Sequence, residues 1–280
     1  MQRTTGKGAL SMRVRANGQA DKTQLHSLWQ EGAAKIRLPK SYSSMAEAVL
    51  INTSGGLTGG DRLHWQAEAG DRARLCLTTQ ACEKLYRASA GTAQVTSELK
   101  AGENAQLHWL PQETIVYNSS ALERSLQVQL AASAVFVGVE AFVLGRVHMG
   151  EAVKTAHLHD RWRIYREGQL IHAEELRLAG DIEAIIKGEA LLAGNTAFAT
   201  LLYVGPEDSE QLSARAYAIR QELGLATADK QMQAQTAVCA LPNKIIARTL
   251  AKDGFTLRQK LLPLIAALRP GLSLPKCWSL

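Results

Sequence analysis

From about residue 46 to residue 204 the chain alternates apolar and polar positions with a period of two, the mark of strands with one buried face. In Arg124–Leu130, Leu126, Val128 and Leu130 fall on one face while Gln127 and Gln129 fall on the other. In Ala105–Leu110, Ala105, Leu107 and Trp109 alternate with Gln106 and His108. Turn signals recur at Gly70-Asp71, at A-G-E-N (101–104), at N-S-S (118–120), at Gly150-Glu151, at E-G-Q (167–169), at A-G-D (179–181) and at V-G-P (204–206). Residues 1–45 are polar and mixed, with short strand candidates. The spacing predicts a large β body over about 1–204. No sequence repeat of fixed length accompanies it, so periodicity alone does not indicate a regular solenoid.

Past residue 205 the period changes. Asp208 is placed to cap a helix whose Leu212, Ala216, Ile219 and Leu223 step by four, three and four, with Gly224 ending it. Leu257, Leu261, Leu264, Ile265 and Leu268 form a second helical stripe, and Pro263 inside it predicts a kink or a break. Residues 205–280 are therefore expected to add two or three helices to the β body.

Composition narrows the class. The 280 residues are 46% apolar, enough for a substantial core, so disorder is excluded. The net charge of +6 and pI near 9.2 come without a long basic run, which favours a mildly basic solvated surface over nucleic-acid binding. Cys76, Cys82, Cys239 and Cys277 show no C-x-x-C spacing. The first residues lack the apolar core of a secretory signal, and no apolar run reaches the ~18 residues of a membrane span. A soluble cytoplasmic protein with reduced thiols is expected.

The glycine-rich stretch I-N-T-S-G-G-L-T-G-G-D-R-L (51–63) is not a phosphate loop. Asp61 and Arg62 stand where such a loop needs Lys and a hydroxyl, and strands rather than a helix follow. Paired glycines suit a sharp strand-to-strand reversal. His157 and His159 share a strand face, but no catalytic zinc pattern and no nucleophile elbow occur. Two carboxylates are more informative. In Val135–Gly145, one face carries Val135, Val137, Val139, Ala141 and Val143, and the other carries Phe136, Gly138, Glu140, Phe142 and Leu144. Glu140 should thus point into protein. In Leu170–Leu178 the period puts Glu174 with Leu170, His172, Leu176 and Leu178. An inward carboxylate needs a partner, a cation or a proton. Either each pairs with an internal cation such as Arg146 or Arg177, or both line a wet, acidic path for a cation.

Four blocks, G-G-L-T-G-G-D-R-L (55–63), L-T-T-Q-A-C-E-K-L-Y-R (77–87), W-L-P-Q-E-T-I-V-Y (109–117) and E-A-F-V-L-G-R-V-H-M-G-E (140–151), together resemble the urease accessory protein UreD family, also called UreH. Order, spacing and total length agree. The upstream A-A-K-I-R-L-P-K (33–40) and A-V-L-I-N-T-S-G-G (48–56) and the closing L-P-K-C-W (274–278) fit as well. Within these blocks the signature positions are Gly55, Gly56, Gly59, Gly60, Asp61, Trp109, Pro111, Gln112, Glu113, Gly145 and Arg146. The fourth block departs from the family's pattern by Val147-His148 in place of Pro-Ala.

The resemblance implies one UreD-type domain over 1–280 with a β-helix-like stack of many strands and a few C-terminal helices. It implies a chaperone of metallocentre assembly and not an enzyme. Its partners would be UreF, UreG and urease apoprotein, in an assembly holding two copies each of this chain, UreF and UreG. No nucleic acid and no membrane take part. Nickel would be a transient cargo passed to urease, GTP would be bound by UreG, and no cofactor would be held tightly. A nickel conduit must bind weakly enough to release its ion, so scattered carboxylates suit it better than a thiolate cluster. On that reading Glu140 and Glu174 line the path, with His148 and His172 as softer neighbours. Asp61, Glu83 and Glu113 serve turns. The alternatives are an assembly adaptor without metal contact and a β-helical carbohydrate-active enzyme, the latter poorly matched by 5% aromatic residues.

Overall fold

A computed structural model describes residues 3–15, 22–40, 44–146, 150–225 and 234–278. The chain begins with β1 (Thr5–Arg15), β2 (Lys22–Gly32) and β3 (Ala34–Arg37). Successive coils then supply β4 (Ala46–Asn52), β5 (Arg62–Ala69), β6 (Arg74–Thr79), β7 (Glu83–Leu85), β8 (Ala93–Ala101), β9 (Gln106–Leu110) and β10 (Thr114–Val116). The next are β11 (Ser120–Leu130), β12 (Val135–Leu144), β13 (Thr155–Arg166) and β14 (Gln169–Asp181). Beyond a short helix α1 (Ile182–Lys187) lie β15 (Ala197–Val204), helix α2 (Ser209–Glu222), β16 (Ala234–Leu241), β17 (Lys244–Ala251) and helix α3 (Gly254–Ala267).

The strands stack as a β-helix. One sheet runs β14-β13-β11-β8-β5-β1-β2, parallel from β1 to β13 and antiparallel at both margins. The other runs β16-β17-β15-β12-β9-β6-β4-β3, parallel from β4 to β12. A short third ladder joins β7 to β10 and β10 to β12. It stacks Leu57, Leu85, Val116 and Leu144 up one corner, all buried. One coil carries Arg62 to Gln94, 32 residues on, and the next carries Ala93 to Leu122, 29 residues on. That variable coil length is why no fixed repeat shows in the sequence.

Two cores result. Inward-facing positions of both sheets, including Leu99, Leu122, Val128, Phe136 and Leu158, fill the coil interior. The outer face of the second sheet, with Val137, Val139 and Ala141 of β12, packs under Leu212, Ala216 and Ile219 of α2 and Leu257, Leu261 and Leu264 of α3. β12 is therefore apolar on both faces because both are buried. Asp208 caps α2 through a capping box, and Gly224 follows at φ +66°. Pro263 does not break α3, which runs on to Ala267. Leu257, Leu261, Leu264 and Ile265 keep the helix docked across the hydrogen bond that proline removes.

The glycine stretch is a corner of the coil. Gly55, Gly56 and Gly60 have positive φ, and a Cβ on Gly59 would lie 2.4 Å from the carbonyl oxygen of Ala90. The buried Asp61 carboxylate accepts from the backbone N–H of Thr58 and of Thr4, both at 2.8 Å. It closes the turn on itself and on the first strand, leaving no cradle for phosphate.

Candidate functional site

Inside the coil the inward column that reads Leu63, Val95 in β5 and β8 continues as Arg124 in β11 and Asp160 in β13. An ion pair thus stands where an aliphatic stack would otherwise run. Arg124 Nε donates to Asp160 Oδ1 at 2.8 Å, and Nη1 donates to Thr114 Oγ1 at 3.2 Å. Its Nη2 lies 2.5 Å from Glu140 Oε2, in charge contact but without hydrogen-bond alignment. Trp109 Nε1 donates to Glu140 Oε1 at 2.9 Å. Glu140 is 4% exposed, as its place among Phe136, Phe142 and Leu144 predicts. Burial pushes its pKa up to about 7 against the pull of Arg124, with the Asp160 charge adding to the rise. Glu83, hydrogen-bonded by Asn52 Nδ2 at 3.2 Å, is likewise pushed up to about 7 by burial.

A cavity of about 750 Å³ lies between β14 and the sheet of β12, β15 and β17, and reaches the surface at the half-exposed Leu170 and Leu241. Glu174, His172, Asp160 and Glu140 line it. A smaller space of about 50 Å³ further in is lined by Glu140, Arg124, Glu83 and Trp109. Glu140 borders both. Glu174 Oε1 pairs with Arg248 Nη2 at 3.1 Å and accepts from Thr200 Oγ1 at 3.1 Å. Its Oε2 faces the buried His172 Nε2 at 3.5 Å, and neither atom has a hydrogen-bond partner. Burial raises the Glu174 pKa, but His172, Arg248 and Thr200 outweigh it, so the net shift is downward.

The partners differ from those expected. Arg146 pairs with Glu151 at 2.7 Å and stacks over Tyr117, and Arg177 points to Glu175. Neither reaches Glu140 or Glu174. Leu170 leaves the face of Glu174 because a bulge at Ile171 sets it opposite Tyr165. His148 lies outside the described residues. His157 faces outward on β13, and His159 there meets Glu175 at 2.7 Å. Among the described residues no three His, Cys, Asp or Glu side chains gather as a metal site. All four cysteines are free thiols.

The signature blocks meet in space. Arg258 of α3 donates to Glu113 Oε2 at 3.1 Å, to Gln112 Oε1 at 3.3 Å and to the carbonyl of Trp278 at 3.1 Å. Trp278 Nε1 donates to the carbonyl of Leu110 at 3.1 Å, and Gln112 is held by Thr79. W-L-P-Q-E-T, with Pro111 buried inside it, is thus a seat for the C-terminal helix and tail. Gly145, at φ +79°, packs so closely that a Cβ would lie 2.6 Å from the carbonyl of Glu151.

Residues 6–279 match the family described as UreD urease accessory protein. The chain belongs to that family. A urease accessory protein UreD of Rhizobium leguminosarum bv. viciae is 47% identical over 279 residues, covering 100% of this chain and 96% of the relative. The UreD of Chelativorans sp. is 47% identical over 280 residues, covering 100% and 95%. That of Agrobacterium fabrum is 48% identical over 279 residues, covering 100% and 92%. No helix of the described residues is long and apolar enough to cross a membrane.

Sequence reasoning passed over Arg124, Asp160 and Arg248. A signal for the first two was present. Arg124 has the same parity as Leu122, Leu126 and Val128, and Asp160 that of Leu158, Trp162 and Ile164. Two opposite charges on inward faces of neighbouring strands mark an internal ion pair.

Proposed function

We propose that this UreD-family chain works in the cytoplasm as a non-catalytic partner in urease maturation, joining UreF-type and UreG-type proteins to urease apoprotein and letting nickel pass through its interior. The partner GTPase supplies the nucleotide chemistry. What supports the passage is one observation: Glu140 borders both the surface-reaching cavity and the inner space. A dication entering at Leu170 and Leu241 meets the His172–Glu174 pair first, where one nitrogen and one oxygen face each other unpartnered. It then meets Glu140 and Asp160, both engaged by Arg124. Arg124 competes for the same oxygens, so the ion is bound weakly and moves on. Carboxylate and imidazole donors scattered along a cavity suit a cargo in transit.

The test is a urease operon lacking this chain, complemented by the wild type or by Glu140→Gln with Glu174→Gln. At limiting nickel the double variant should co-purify with the partners yet leave urease poor in nickel and activity. Full activation by a folded double variant would refute the passage and leave an assembly adaptor.

A further inference from the structure

A second pocket, of about 200 Å³, lies away from the acid-lined cavity, under the end of α3. Its floor is Arg269, just past the last turn of that helix and 3% exposed. A guanidinium is always charged and carries five N–H donors. Nε donates to Nδ1 of His108 at 2.7 Å, Nη1 donates to the carbonyl of Ser273 at 3.3 Å, and Nη2 faces the Met45 sulfur at 3.6 Å. None of these acceptors is an anion. Burial keeps His108 neutral, pushing its pKa well below the usual range, and the Arg269 charge adds to that. Among the described residues no carboxylate lies within 4.0 Å of Arg269. Among the described residues Glu47 acts on it only from beyond 4.0 Å, and a buried cation gains from a closer counter-charge.

The pocket wall supplies more cations than anions. Lys40 and Lys276 line it, and Glu47 is the one carboxylate. Burial pushes the Glu47 pKa up against the pull of Lys276 and Arg269, so it is a weak counter-charge to Arg269. The volume is that of about seven waters, room for a small ion and its hydrogen bonds.

We propose that this pocket binds a small oxyanion of the phosphate or sulfate type, seated on Arg269 with Lys40 and Lys276 at its rim. The nickel path plays no part in it.

The purified full chain is melted across a range of sodium phosphate and, at matched ionic strength, sodium chloride. Phosphate also stabilises proteins by exclusion from their surfaces, but that effect does not saturate and is blind to rim substitutions. A saturable rise in Tm with phosphate and none with chloride is expected. Lys40→Ala with Lys276→Ala, referenced to that variant's own Tm in chloride, should weaken the apparent Kd for phosphate by about tenfold, from two exposed charges. Glu47→Gln removes the competing carboxylate and should tighten it. Arg269 itself packs too deeply for a clean variant, so the rim and Glu47 carry the test. Equal rises in both salts, or an apparent Kd indifferent to all three substitutions, would overturn the site.

Discussion

Glu140 and Glu174 occupy different electrostatic settings, and substitution should separate them. Glu140 shares Arg124 with Asp160, so Glu140→Gln leaves the guanidinium one anion and leaves Trp109 an amide oxygen to bond. A loss of about 1.5–3 kcal/mol is expected, the worth of one charged hydrogen-bond partner. Adding Asp160→Asn strands Arg124 in the coil interior and should cost about 3–5 kcal/mol more, a large share of a typical domain's stability of about 5–15 kcal/mol. Glu174→Gln frees Arg248, whose side chain is 62% exposed, and should cost less than about 1 kcal/mol. Chemical denaturation of the three variants checks the order. Glu83 gives a pH signature. Its pKa rises from 4.5 unfolded to about 7 folded because burial favours the neutral acid. The folded state therefore holds the proton more tightly, and this contribution is complete below pH 4.5 and lost as pH climbs through about 7. Glu83→Gln mimics the protonated form, so its Tm should gain on wild type between pH 5 and pH 8. A constant difference across that range would show that Glu83 does not titrate there.

At the scale of elements, some pieces were legible and others were not, for physical reasons. The second helix could be read residue by residue, since Asp208, the stripe of Leu212, Ala216 and Ile219, and Gly224 are all local signals. The two buried faces of β12 were legible too, and with them the inward direction of Glu140. The coil stacking was not, because parallel neighbours come from residues about 30 positions away and the coil length varies. The bulge at Ile171 was likewise invisible, being set by pairing with β13. Of the kink or break that Pro263 suggested, the break does not occur, since tertiary packing of α3 outweighs the proline's local penalty. Docking of α3 now rests on Arg258, which ties Glu113, 3% exposed, to the tail. Arg258→Met should leave that carboxylate buried with only the Cys82 thiol and no cation beside it, costing about 3–5 kcal/mol. Hydrogen exchange should rise over residues 254–278 and stay unchanged in β5, β8 and β11. Uniform exchange across the chain would mean that helix and coil unfold together. The glycine corner is stiffer still: Gly60→Val at φ +88° should cost about 1–3 kcal/mol without altering any nucleotide binding.

If nickel passes through this chain as proposed, the decisive quantity for the whole molecule is how tightly the chain holds it. Three features work against a tight site. Among the described residues no three metal-binding side chains converge, the carboxylates of the inner stretch are already paired with Arg124, and the thiols of Cys76 and Cys82 are pushed up to about 12 by burial. A thiol that keeps its proton is a poor nickel ligand. What remains is the His172–Glu174 pair at the outer cavity and a competition with Arg124 further in. Equilibrium dialysis of the chain against Ni²⁺ should therefore give a Kd no tighter than about 1 μM, or about −8 kcal/mol. Binding should strengthen from pH 6 to pH 8, because the ion displaces the proton that burial keeps on Glu140, whose pKa is about 7. His172→Ala should weaken the first encounter, while Glu140→Gln should reduce the pH dependence and leave that encounter in place. A nanomolar site, or one whose affinity ignores both substitutions, would describe a nickel store elsewhere on the chain and would leave the acid-lined cavity without a role in transfer.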